Sequence, residues 1–84
     1  MERQDNVEQF IDCIAKVLSL PRSRITAQSS PRTLPDWDSL SQIGIVLEVE
    51  RRFHVRFATE DIPKLDSLAK LDAAVRKARR SPAR

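Results

Sequence analysis

The chain has 84 residues, 40% of them apolar and 32% charged, and a net charge of +3 at pH 7. That is the composition of one small soluble domain, with no room for a second core and too apolar for a disordered chain. One cysteine, Cys13, and one histidine, His54, exclude an internal disulfide and a multi-cysteine zinc site. A single glycine, the absence of tyrosine and few alternating apolar runs favour helices over strands.

The opening "MERQDNVEQF" is charged and lacks an apolar h-region, so no secretory signal is expected and the expected location is cytoplasmic. Val7, Phe10, Ile11, Ile14, Ala15 and Leu18 then recur at helical spacing, which predicts a helix over 4–19. Asp5 or Asn6 is the expected cap, and Pro21 lies just past the end. Cys13 sits beside the stripe as a small, half-buried residue without chemistry.

Residues 20–37, "LPRSRITAQSSPRTLPDW", form a long connection with three prolines. A loop of that length in a small domain is often functional. Ile25, Leu34 and Trp37, its only large apolar residues, are expected to pin it across the mouth of the core.

A second helix is predicted from Ser39 to Phe53. Ile45, Val46, Val49 and Phe53 face the core, whereas Leu40, Ile43 and Leu47 mark a second apolar edge, either the margin of the core or a docking surface. Its longest apolar run, Ile43 to Leu47, is far too short to span a membrane. Gly44 costs roughly 1 kcal/mol relative to alanine inside a helix, so it serves either close helix packing or something lying over the helix.

Thr59-Glu60-Asp61 is the capping-type start of a short helix ending near Pro63 to Leu65. A last helix runs from Leu68 to about Ala78, with Leu68, Leu71, Ala74, Val75 and Ala78 on one stripe. The expected fold class is therefore all-α, a small four-helix bundle of three main helices and one short one. The helical domain is expected to cover residues 1–78. Beyond it lies a basic tail, 79–84, expected to be frayed and solvated. Residues 1–75 carry ten Lys or Arg against twelve Asp or Glu, so the basic character lies in "RKARRSPAR". With no aromatic stacking platform beside it, this is a weak nucleic-acid signal, and no nucleic-acid partner is expected.

Asp-Ser-Leu occurs twice, as Asp38-Ser39-Leu40 and as Asp66-Ser67-Leu68. Each copy precedes an amphipathic stretch, and Asp and Ser both suit a helix N-terminus, the serine oxygen accepting a first-turn N–H. Ser67 follows a short connection and needs nothing beyond capping. Ser39 follows the proline-punctuated loop, next to Trp37 and at the head of an apolar edge. A phosphate ester there would meet the free N–H groups of the helix. No catalytic base serves Ser39, since His54 stands on the order of 20 Å along the helix, where it is expected to bond nearby carbonyls. A Ser-His hydrolase is thus not expected, and neither is any metal ligand set.

From Val7 to Ala78 the pattern resembles an acyl carrier protein. An N-terminal helix, a long loop, "LPDWDSL" opening a second helix that ends "EVERRF", a short helix and a final helix match that family in order and length. The resemblance implies that a phosphopantetheinyl transferase attaches 4′-phosphopantetheine from coenzyme A to Ser39. The thiol of the arm would carry acyl groups as thioesters, and the protein would be a carrier, not an enzyme. It implies Asp38 beside the modification site, and Leu40, Ile43, Leu47 and Glu48 on the surface read by acyl-activating and acyl-transferring enzymes. It also implies a monomer working in lipid, polyketide or another specialised biosynthesis. An aminoacyl or peptidyl carrier beside an adenylating enzyme has the same outline, and an unmodified helical interaction module is the alternative of another class. The sequence departs from the family at Asp36-Trp37, where a small Gly-Ala or Gly-Gly lead is common, making Trp37 either a core plug or a wall beside the arm. It departs again in the second helix, which holds only two acids, Glu48 and Glu50, followed by Arg51 and Arg52. This points to a dedicated pathway with its own partners.

Overall fold

Phe10, Ile14, Ile45, Val49, Leu71 and Val75, drawn from three separate apolar stripes, are all fully buried against one another. In the computed structural model, which describes the backbone of residues 2–80 and the side chains of residues 6–79, they belong to three α-helices. These are α1 (Glu2–Leu18), α2 (Ser39–Phe53) and α3 (Leu68–Arg80). The six-residue 3-10 helix Thr59–Lys64 is the short fourth member, and a single 3-10 turn, Arg22–Arg24, interrupts the long loop. The described residues are all helix and connection, and the expected small helical bundle is what they form. Among them, no helix is long and apolar enough to cross a membrane.

The centre of the core is Phe10 stacked on Phe53, with ring centroids 4.9 Å apart. Offset stacking of this kind adds to the area both rings bury. The Arg79 guanidinium lies over the Phe53 ring, 5.5 Å from its centroid. This contact accompanies the extension of α3 to Arg80, two residues beyond the end read from the apolar stripe. The rest of the basic tail, 81–84, lies outside the described residues.

Several local expectations are corrected. α1 begins at Glu2, so Asp5 and Asn6 lie within the helix rather than capping it; the Asn6 amide instead donates across to Asp72 on α3, at 3.4 Å. Thr59 is the first residue of its 3-10 helix, preceded by Ala58, and supplies no side-chain cap. Cys13 is wholly buried, not half-buried, because α1 presents the face between Phe10 and Val17 to α2. Burial pushes its thiol up to about 11. Iodoacetamide at neutral pH should therefore leave Cys13 unlabelled in the folded protein and label it rapidly in denaturant. Comparable labelling rates in both states would contradict this burial.

Gly44 has a packing cause: a Cβ there would stand 3.1 Å from Val17 Cγ1, so glycine is what lets α1 and α2 approach. α2 ends at His54, which takes the left-handed conformation (φ 57°, ψ 48°) while its backbone N–H donates to the Glu50 carbonyl. His54 therefore closes the helix through its main chain, at a position glycine occupies without steric cost. His54→Gly should raise stability by about 1 kcal/mol, measured by urea denaturation. A loss of stability would mean that the imidazole makes a contact outweighing the backbone strain.

Candidate functional site

The long loop is held down as its composition suggests. Ile25, Leu34 and Trp37 are buried, and short serine and threonine turns fill the intervals. Thr26 N–H donates to Ser29 Oγ, Ser30 N–H donates to Thr33 Oγ1, and the Leu34 N–H returns to the Ser30 carbonyl. These bonds lead the chain into Trp37, whose ring is only 1% exposed. The indole Nε1–H donates to Gln42 Oε1 at 2.7 Å. The Gln42 Nε2 group donates onward to the carbonyls of Ile62 and Leu65, each at 2.7 Å. Gln42 is buried and ties the loop, the first turn of α2 and the short 3-10 helix into one unit. Its role was not read from the sequence, although counting back one turn from Ile45 places residue 42 on the core face.

Trp37 leads directly into the start of α2, where the cap is Asp38 and not Ser39. Asp38 has extended backbone angles, its Oδ1 accepts the Ser41 N–H at 2.9 Å, and its carbonyl accepts the Gln42 N–H at 2.8 Å. The bond from the Ser41 N–H holds the Asp38 carboxyl below the ordinary carboxylate range. Its stabilising effect is therefore full above that range and disappears as acid protonates it. Ser41 also donates its hydroxyl to the Asp36 carbonyl, at 3.0 Å, fixing the approach of the chain. Ser39 becomes the first residue of the helix. It is exposed, and among the described residues its hydroxyl makes no hydrogen bond. In the second copy of the tripeptide the register is one residue different. Ser67 caps α3, accepting the Lys70 N–H at 3.1 Å, while Asp66 stands one position earlier and pairs with Lys70.

That shift decides where each leucine falls. Leu68 is buried, whereas Leu40 is 77% exposed. Ile43 and Leu47 are 46% and 52% exposed, and these three are the exposed large hydrophobic residues among those described. Leu40, Ile43 and Leu47 thus line one solvent-facing edge of α2. Glu48, grouped with that edge in the sequence, is turned to α1 instead. Its side chain, 11% exposed, is reached by Lys16 at 3.4 Å, Arg51 at 3.0 Å and Arg52 at 3.7 Å. Partial burial works to raise its pKa, yet bonds from Arg51 and Lys16 outweigh it and hold the carboxyl low.

Between the loop, α2 and the 3-10 helix opens a largely apolar groove of about 500 Å³. Trp37, Ser39 and Ile43 form one wall, and Ile62 and Pro63 stand opposite. The structure therefore brings Trp37, Asp38, Ser39 and Ile43 together around one opening and leaves Glu48 outside it. His54 closes the far end of α2, away from Ser39.

No protein-family model matches the chain. No curated protein matches it in sequence either. The site therefore stands on its own geometry: a hydroxyl without a hydrogen-bond partner at a helix N-terminus, an apolar groove beside it, and an exposed aliphatic edge leading away.

Proposed function

We propose that the chain is an acyl carrier protein, in which Ser39 receives a 4′-phosphopantetheine arm from coenzyme A. The observation that supports this most is the register at the start of α2. Because Asp38 provides the cap, the Ser39 hydroxyl is exposed and has no competing bond within the described chain. Esterifying it would leave the cap in place. The phosphate would lie at the positive end of α2, which favours an anion through its dipole and first-turn N–H groups.

The residues around the hydroxyl fit such a group. Trp37, Ile43, Ile62 and Pro63 give an apolar opening suited to a flexible arm or its acyl cargo, and Asp38 keeps the first turn closed. When bound, the arm supplies the thiol on which acyl groups are carried as thioesters. The protein's own part is to present that arm. Leu40, Ile43 and Leu47 offer the enzymes of a biosynthetic pathway a small apolar edge whose first residue adjoins Ser39.

The test is intact-mass measurement after incubation with coenzyme A and a broad-specificity phosphopantetheinyl transferase. One phosphopantetheine should be added to the wild-type chain and none to Ser39→Ala. An unchanged wild-type mass, or an equal gain in the variant, overturns the proposal; the first result would leave the edge as an unmodified interaction surface.

A further inference from the structure

The exposed edge of α2 is bordered by charge of two signs. Its two acids are both engaged within the fold: Glu48 by Lys16, Arg51 and Arg52, and Glu50 by the Phe57 N–H, which donates to its Oε2 at 2.8 Å. The remaining acid at that end, Asp12 on α1, is half-exposed but paired with Arg22 and Arg52, so the side chains left over beside Leu47 are cationic. Lys16 and Arg51, with side chains 59% and 68% exposed, both reach the one shielded carboxylate of Glu48. At the Leu40 end Asp36 and Asp38 are exposed. The sign thus changes over the eleven residue steps from Leu40 to Arg51, about 17 Å of helix.

We infer that this edge docks on a protein surface whose apolar groove takes Leu40, Ile43 and Leu47 and whose carboxylates meet Lys16 and Arg51. A basic rim at that end would set like charges against each other, whereas an acidic one is attracted during approach and fixes the direction of docking. With the carboxylates on Lys16 and Arg51, the Ser39 end always faces the same part of the partner. The area is small. Three partly exposed aliphatic side chains supply on the order of a few hundred Å², well short of the ~800 Å² per side of a stable interface. A contact that forms and releases suits this edge. Two copies laid antiparallel would also match their signs, but the same area argues against a lasting dimer. The inference deepens the reading of this edge as the docking face and rests on that reading, not on modification of Ser39.

The test uses two synthetic amphipathic helical peptides with one shared leucine face, differing only in whether the charged turn at one end is glutamate or lysine. Backbone amide shifts are followed at low salt. The glutamate-ended peptide should shift the α2 amides and bind Lys16→Glu/Arg51→Glu about tenfold more weakly than wild type. The lysine-ended peptide should move the other way. Lys77→Glu, a charge reversal at an exposed position of α3, should change neither, and Leu47→Ala should weaken both. Absence of glutamate-peptide binding to α2, an affinity unchanged by the double substitution, or self-association through the edge in sedimentation would each overturn the inference. Repeating the titration on Ser39→Ala separates its failure from failure of the carrier reading, which the mass measurement alone decides.

Discussion

Trp37→Ala is expected to cost about 3–5 kcal/mol, against a total stability on the order of 5–10 kcal/mol for a domain of this size. Two terms add. The ring is 1% exposed, so its removal leaves a cavity under the loop. The Gln42 oxygen loses the indole N–H that satisfies it. The second term can be isolated. Trp37→Phe keeps most of the packing but strands the amide oxygen, and Gln42→Leu leaves the indole N–H and the Ile62 and Leu65 carbonyls without their donor or acceptor. Each single change should cost about 1–3 kcal/mol, and the double variant less than their sum, because each removes the same bond. Urea denaturation followed by circular dichroism measures all four variants. Additive losses would show that the Trp37–Gln42 bond contributes little, leaving the ring as a simple core plug.

This network also bears on the groove. Gln42 anchors the carbonyls at both ends of the Ile62–Leu65 segment, and Ile62 and Pro63 form the wall opposite Ser39. Loosening the amide should therefore loosen that wall as well as the core. Trp37 is at once a plug and a wall: it fills the core beneath the loop and lines the opening beside Ser39. A buried ring can thus fill the core with one part and line the groove with another.

The limits of α2 were legible because punctuation and period agree. The prolines and turn residues end just before Ser39, and Ile45, Val46, Val49 and Phe53 repeat at helical spacing up to His54. Burial of Cys13 was harder to see, since a small side chain beside a strong stripe carries little pattern of its own. The cap register was not legible from the tripeptide, which is identical in both copies. The signal lay further along each helix. Counting back by turns from Val49 and Ile45 reaches Gln42 and Asp38, which puts Leu40 on the far side from the core. Counting back from Val75 reaches Leu71 and Leu68, which puts Leu68 inside. Hydrophobic phase, not local composition, sets which residue caps. The turning of Glu48 toward α1 depends on Lys16, distant in sequence, and no single-helix pattern contains it.

The difference in register predicts a clean separation between the two serines. Ser67→Ala removes the oxygen that accepts the Lys70 N–H and should lower stability by about 1 kcal/mol. The same substitution at Ser39 removes a hydroxyl that caps nothing and should leave stability within about 0.5 kcal/mol of wild type. Asp38→Ala, by contrast, should lower the Tm, because the α2 cap resides there, and the loss should shrink in acid as the wild-type carboxylate is protonated. For attachment of phosphopantetheine the order reverses: Ser39→Ala should abolish the mass gain completely, and Ser67→Ala should retain it. Thermal unfolding and intact mass measured on the same three preparations give both results. A Ser39→Ala chain destabilised as much as Ser67→Ala would show that Ser39 shares in the cap, removing the structural reason for assigning the arm to it. A Ser67→Ala chain that folds but cannot be modified would show that the second copy takes part in recognition by the transferase. With the outcomes expected, capping belongs to Asp38 in one copy and Ser67 in the other, and only the first copy leaves a serine hydroxyl available for chemistry.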